Sequence, residues 1–311
     1  MSFLGVDIGG TKIAAAVVDV NGIVHSKSRI ETPASAGGDT ILQAAIGLSQ
    51  SLLSSTSDDI TAIGIGTGGQ VDAESGTIYS ATELLPGWAG QPIKERFRKS
   101  FNLPIYIEND VNALALGEQR FGGLERAGTT VFLALGTGVG GAVLIDGKLH
   151  HGAHWSGGEA GHMIVNIAED AWIDSGGHQG TLEAYASGHA LVRIWREITG
   201  DRSEISGQEI GDEAMVDSGS PAVLAVTQLG RNLGLGLVSI VSLLDPDRII
   251  IGGGLAALGD LLLDPARVTL RERALPGSSE CPVSVSSLGA SSSLIGAATV
   301  AIEGVSCQQG H

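Results

Sequence analysis

A chain of 311 residues exceeds one usual hydrophobic core, so two domains of roughly 100 to 200 residues each are expected. At 43% hydrophobic and 17% charged residues it reads as globular, and no apolar run reaches the roughly 20 residues of a membrane span. Eighteen Lys and Arg against 34 Asp and Glu give a net charge of −16, which argues against nucleic acid or anionic membrane as a partner.

In chain order, Phe3–Asp7 is a short apolar strand, Ile8–Thr11 a glycine turn and Ile13–Val18 a second strand. Asn21-Gly22 marks a tight hairpin that returns through a third strand, Ile23–Ile30. Helical spacing over Thr40–Leu53, a strand at Ile60–Gly66 and a helix over Pro92–Phe101 follow. Leu103–Ile107 is a further strand, and Asp110–Phe121 a helix with an acid at its N-terminus. The pattern then restarts: strand Val131–Leu135, glycine turn Gly136–Gly141, strand Ala142–Ile145 and hairpin turn Asp146-Gly147. Thr181–Ile198 and Pro221–Leu244 read as helices, Arg248–Ile251 as a buried strand ending in three glycines, and Leu294–Ile302 as a closing helix before a frayed tail, 308–311. Two strand–glycine turn–strand units, each opening a run of strands and helices, predict a duplicated α/β domain.

The polar residues gather at these turns. Asp7-Ile8-Gly9-Gly10-Thr11-Lys12 puts a carboxylate at a strand end and a glycine turn after it, a device that admits phosphate oxygens to backbone N–H groups and lets the acid hold Mg²⁺. Gly136-Thr137-Gly138 repeats the turn without the acid. Either turn alone also fits an ordinary hairpin, and the phosphate reading rests on their being a pair. Glu108-Asn109-Asp110 follows a strand and opens a helix; Asp110 could cap that helix, or could serve as a base beside Asn109. Glu159 with His162, and Glu183 after the Gly176–Gly180 turn, supply the hydrogen-bonding groups that a polyhydroxylated ligand needs.

With these motifs, the chain resembles the ROK family of bacterial sugar kinases and related repressors from about Leu4 to Ile302. The resemblance is carried by Asp7–Lys12, Glu108–Ala113, Leu135–Gly141, Gly158–Met163 and Ile251–Leu255. It implies an actin-like, ribonuclease H-like fold with two similar domains around a central cleft: residues 1–118, residues 119–290, and a helix in 291–311 returning to the first. It implies ATP and Mg²⁺ as cofactors and a hexose or N-acetylhexosamine as substrate. Asp110 is the implied base, and Gly68, Gly69, Asn109, Asp110, Glu159, His162 and Glu183 the implied sugar contacts. Asp7 (with Mg²⁺), Gly9, Gly10, Thr11, Lys12, Gly136, Thr137, Gly138, Gly253 and Gly254 are the implied nucleotide contacts.

Thr82–Trp88 resembles the Leu-Pro-Gly-Trp stretch of family glucokinases and puts glucose, phosphorylated on its 6-hydroxyl, ahead of N-acetylmannosamine and N-acetylglucosamine. A repressor of the family would carry a DNA-binding segment before Asp7. A catalytically dead sugar-binding module would have lost Asp110 or its glycine turns. Many members hold a structural zinc through one His and three Cys; here Asp174, Gly176 and Thr181 stand at the Cys positions, so no structural zinc is expected and loop 174–180 is expected to order with sugar. Only Cys281 and Cys307 are present, which fits a reducing, cytoplasmic setting; the family suggests a homodimer.

Overall fold

The computed structural model describes residues 1–82, 84–124 and 127–309, and the side chains of all of these except 290, 308 and 309. Glu83, Glu125, Arg126, Gly310 and His311 therefore lie outside the described residues. The chain divides into a first unit, Met1–Arg126 with His151–Ser156 and Ser287–His311, and a second, Ala127–His150 with Gly157–Ser286.

In the first unit, β1 (Ser2–Ile8), β2 (Lys12–Asp19) and β3 (Val24–Glu31) form an antiparallel meander whose first turn is the glycine turn after Asp7. Helix α1 (Gly38–Ser55) crosses to β4 (Ile60–Thr67), which pairs in parallel with β1. A small hairpin of β5 (Gln70–Asp72) and β6 (Thr77–Ser80) and helix α2 (Ile93–Ser100) precede β7 (Ile105–Asn109), parallel to β4; α3 (Asp110–Phe121) leaves its end. The sheet order is β3-β2-β1-β4-β7. Strand periodicity divides its side chains between two cores. Leu4, Val6, Ile8, Ile13, Ala15 and Val17 pack with Ile41, Leu42 and Phe97, while Phe3, Ala14, Ala16, Val18 and Ala62 face the other way.

The second unit repeats that plan. Strands β8 (Thr129–Leu135), β9 (Val139–Ile145) and β10 (Lys148–Leu149) form the meander, and Asp146 and Gly147 between the last two both have positive φ, 50° and 73°, as a tight hairpin requires. Helices α4 (Leu182–Ala186), α5 (Gly188–Thr199), α6 (Gly207–Val216) and α7 (Pro221–Leu244) lead to β11 (Arg248–Gly252), parallel to β8. Helix α8 (Asp260–Arg273) then leads to β12 (Val283–Val285), parallel to β11. The order β10-β9-β8-β11-β12 has the same sense at every pairing as the first sheet. The duplication read from the two glycine turns is thus present in the topology.

The 24 residues of α7 are long and apolar enough to cross a bilayer, yet Leu229, Leu233, Leu237 and Val241 are buried in the second unit's core against α8, whose Leu262, Leu263 and Ala266 join the same cluster. It is a core helix. The closing helix α9 (Ser292–Gln309) covers the second face of the first sheet, where Leu294, Ala298 and Ala301 meet Phe3 and Ala62. The approach is close: a Cβ on Gly64 would run into the Ala297 carbonyl oxygen, which explains a glycine in mid-strand.

Three expectations change. The helix expected over Thr181–Ile198 is two helices, because Ser187 is extended (φ −96°, ψ 175°), caps Ala190 N through its hydroxyl, and lets Gly188 N donate to Gly136 O at 2.8 Å. The first unit also takes in 151–156, beyond the expected 1–118. The returning segment starts at Ser287 rather than 291, where Ser287 N and Oγ both donate to the buried Glu118 carboxylate at 2.9 Å.

Candidate active site

The β1–β2 turn places Asp7 at the carboxyl end of β1, 9% exposed, with Gly9 N donating to Lys12 O at 3.0 Å and Thr32 Oγ1 to Gly9 O at 2.6 Å. Burial pushes the Asp7 carboxyl above its usual 3.8, against a Ser293 hydrogen bond and the Lys12 charge, which pull it down. A buried carboxylate so short of counter-charge fits a cation ligand. Thr11 and Lys12 are exposed, and Gly10 rests on the Leu84 carbonyl, 2.8 Å from where its Cβ would lie.

At the end of β7 the helix cap is Asn109, not Asp110. Asn109 Oδ1 accepts from Val111 N at 2.9 Å and Asn112 N at 3.1 Å, while its Nδ2 donates to Gly69 O at 3.0 Å. Asp110 is the first helical residue, half-buried, and its Oδ1 accepts from Val111 N at 2.9 Å. The alternative of Asp110 as the capping residue is thereby removed, since the cap has another owner. Gly68 and Gly69 bring the β4–β5 link to the same turn.

In the second unit, Glu183 is the second residue of α4, and its Oε2 accepts from Val139 N at 3.0 Å while Ser175 donates to Oε1 from both its N–H and its hydroxyl. Glu159 lies near enough to feel both His162 and Glu183; burial raises its pKa above 4.5, the His162 charge opposes this and the Glu183 charge adds to it. His162 is exposed, its ring edge-to-face with His178 at 5.1 Å.

The same unit holds a cavity of about 1370 Å³ lined by Gly136, Thr137, Gly188 and Gly254, with Ile205 and Leu255 among its apolar walls. A Cβ on Gly136 or Gly254 would meet nothing within 4 Å, so the backbone there is open to a ligand. The N-termini of α5 and α6 also line it, through Gly188 and through Ser206-Gly207, and suit negative charge. Gly138 and Gly253 do not line the cavity. Gly138 leaves room for Glu183 Oε2, and Gly253 (φ 82°) presses on the Leu135 backbone.

The model of the ROK family matches residues 3–303. This chain belongs to the ROK family. It is 37% identical to a glucokinase of Streptomyces coelicolor over 321 aligned residues, covering 96% of this chain and 97% of that one. It is 31% identical to a glucokinase of Halalkalibacterium halodurans, covering 88% and 86%. The structure superposes with a TM-score of 0.83 on a ROK family glucokinase from Streptomyces griseus solved with glucose and AMPPNP, at 34% identity over 97% of this chain and 100% of that one. Its fold is accordingly the actin-like, ribonuclease H-like one.

Within this ROK chain, His162, Asp174 and His178 bring one ligand atom each within 4.8 Å of one another. Asp174 is already committed: its covered side chain accepts from Gly176 N at 2.9 Å and from His178 N and Thr181 Oγ1 at 2.8 Å each. The carboxylate thereby ties Gly176, His178 and Thr181 together, so loop 174–180 carries its own bracing. Within Thr82–Trp88, Leu85 and Trp88 are buried and Trp88 donates from its indole N–H to Thr67 Oγ1 at 3.0 Å, whereas Leu84 is exposed and Glu83 lies outside the described residues. Sequence reasoning missed Gly188, Ser206 and Gly207, which line the same cavity as Gly136 and Thr137. A Ser-Gly pair opening each helix was the available signal.

Proposed function

We propose that the chain transfers the γ-phosphoryl group of ATP to the 6-hydroxyl of a hexose, glucose foremost. The observation that carries this reading is Asp110: a half-buried carboxylate that opens α3 at the carboxyl end of the edge strand β7, next to Asn109, whose side chain makes the helix cap. The near full-length likeness to glucokinases supports glucose.

On the first unit, the hydroxyl oxygen attacks the γ-phosphorus, ADP departs, and the hydroxyl proton passes to Asp110. Asn109 and the Gly68-Gly69 backbone orient the sugar. Asp7 would hold Mg²⁺, directly or through water, and the bound cation would neutralise phosphate charge; Gly10, Thr11 and Lys12 offer N–H and ammonium groups to the same phosphates, while Gly9 shapes the turn through its N–H bond to Lys12 O. On the second unit, Glu159, His162 and Glu183 hydrogen-bond ring hydroxyls. There Gly136, Thr137, Gly138, Gly253 and Gly254 shape the turns around the nucleotide cavity, whose apolar walls suit an adenine ring. The net charge of −16 supports small-molecule partners over nucleic acid, two unpaired cysteines fit a cytoplasmic setting, and the resemblance supports a homodimer.

The test is a coupled ADP-release assay over glucose, mannose, N-acetylmannosamine and N-acetylglucosamine. The reading expects the highest kcat/KM with glucose. A preference for an N-acetylhexosamine would move the substrate, and no ADP release with any of them would overturn the kinase.

A further inference from the structure

We propose that His151, paired with Glu108, is a positioning residue that fixes the β7–α3 turn carrying Asp110. The inference rests on the reading of Asp110 as the base. Glu108 is 4% exposed and stands two residues before Asp110. Its Oε1 accepts from Asn109 N at 2.9 Å and from Asn112 Nδ2 at 2.9 Å, so one carboxylate oxygen braces both sides of the turn. Its Oε2 meets His151 Nε2 at 2.6 Å, and among the described residues no Lys or Arg pairs with this acid. A buried carboxylate holds its place only where its charge is matched, and His151 is the group that matches it.

The segment bearing His151 is itself held hard. The His151 ring lies edge-to-face with Trp155 at 5.2 Å, and Trp155 has φ 57°, a conformation an aromatic residue keeps only when its surroundings impose it. At the other end, Gln70 Nε2 donates to Ser156 Oγ, and Gln70 follows Gly69, whose carbonyl accepts from Asn109 Nδ2. Residues 151–156 are thus tied at His151 to Glu108 of the turn that presents Asn109 and Asp110, and at Ser156 to Gln70, the neighbour of Gly69. The next residues in the chain are Gly157, Gly158 and Glu159.

The titratable groups acting on His151 are Glu108 of β7 and Glu74 in the β5–β6 turn. The hydrogen bond to Glu108 raises the imidazole above its usual 6.5, burial opposes this, and the charges of Glu108 and Glu74 add to the rise. A raised folded value means that the charged pair is complete below 6.5 and is lost as pH climbs through the higher value.

The experiment measures kcat and kcat/KM for glucose across pH ~6 to ~10 in the full chain, its His151→Gln and His151→Lys variants, and Asp110→Asn. His151→Gln is expected to lower kcat roughly 10- to 100-fold, as a misplaced base does, with the KM for ATP unchanged. It should also abolish the alkaline limb in kcat/KM that the proposal expects of the wild type at a pH above 6.5. His151→Lys keeps a cation to about pH 10 and should move that limb upward. The limb remaining at its wild-type pH in either folded variant, with Asp110→Asn inactive, overturns the positioning role and leaves the base standing. An active Asp110→Asn removes the base itself.

Discussion

Replacing Asp174 with Ala isolates what holds loop 174–180. The side chain is fully buried and accepts three hydrogen bonds, from Gly176 N, His178 N and Thr181 Oγ1, all between 2.8 and 2.9 Å. A hydrogen bond to a charged group contributes about 1.5 to 3 kcal/mol. The alanine lets water reach the abandoned donors, so a loss worth one to two such bonds, about 2 to 4 kcal/mol, is the reasonable total. At 1.36 kcal/mol per tenfold change, loop opening becomes roughly 30- to 1000-fold more frequent. Hydrogen exchange at the Gly176 and His178 amides reads this directly. Glucose KM should rise with it, because Ser175 then no longer steadies Glu183. Burial alone would raise the Asp174 pKa, but the His178 N–H, the Thr181 hydroxyl and the Gly176 N–H together carry it below the usual 3.8. A depressed folded value stabilises the loop above 3.8 and is lost only as pH falls through that lower value. Unchanged exchange at both amides in Asp174→Ala would refute the bracing.

Two further outcomes follow from the second unit. Glu183→Gln should raise glucose KM about 10- to 100-fold, the worth of one charge-assisted bond, with a much smaller change in kcat; a fall in kcat at unchanged affinity would withdraw Glu183 from ground-state sugar contact. Elemental analysis of the purified protein should find no tightly held zinc, since no Cys lies near His162, Asp174 and His178 and Asp174 is spent on the loop; about one zinc per chain would contradict it.

Much of this architecture was legible because strand signals and turn chemistry agreed. Asn21-Gly22 and Asp146-Gly147 sit in hairpins, and α3 and α7 run over the residues their periodicity indicated. Helix α8 was not legible, because Pro265 stands inside it; burial of Leu262, Leu263, Ala266 and Leu270 against α7 outweighs the lost backbone bond. The short strands β5, β6 and β12 have three or four residues each, too few for a period to register. At the site, the Asn-Asp pair after a strand was readable from local order alone. The partner of Glu108 was not, since His151 lies on a distant segment that only the fold brings back. The division of labour in which Asn109 caps and Asp110 does not also needed coordinates, because both residues are good caps.

The most direct measurement compares turnover and sugar binding in Asp110→Asn. The substitution keeps size, and with Asn109 as the cap it leaves α3 its N-terminal bonds, so glucose and ATP should bind near normally by calorimetry. It removes the carboxylate proposed to accept the hydroxyl proton, and general-base assistance is worth about 10² to 10⁴ in rate. The account predicts a loss of kcat in or above that range with glucose affinity retained. Near wild-type turnover in a folded Asp110→Asn protein would contradict it.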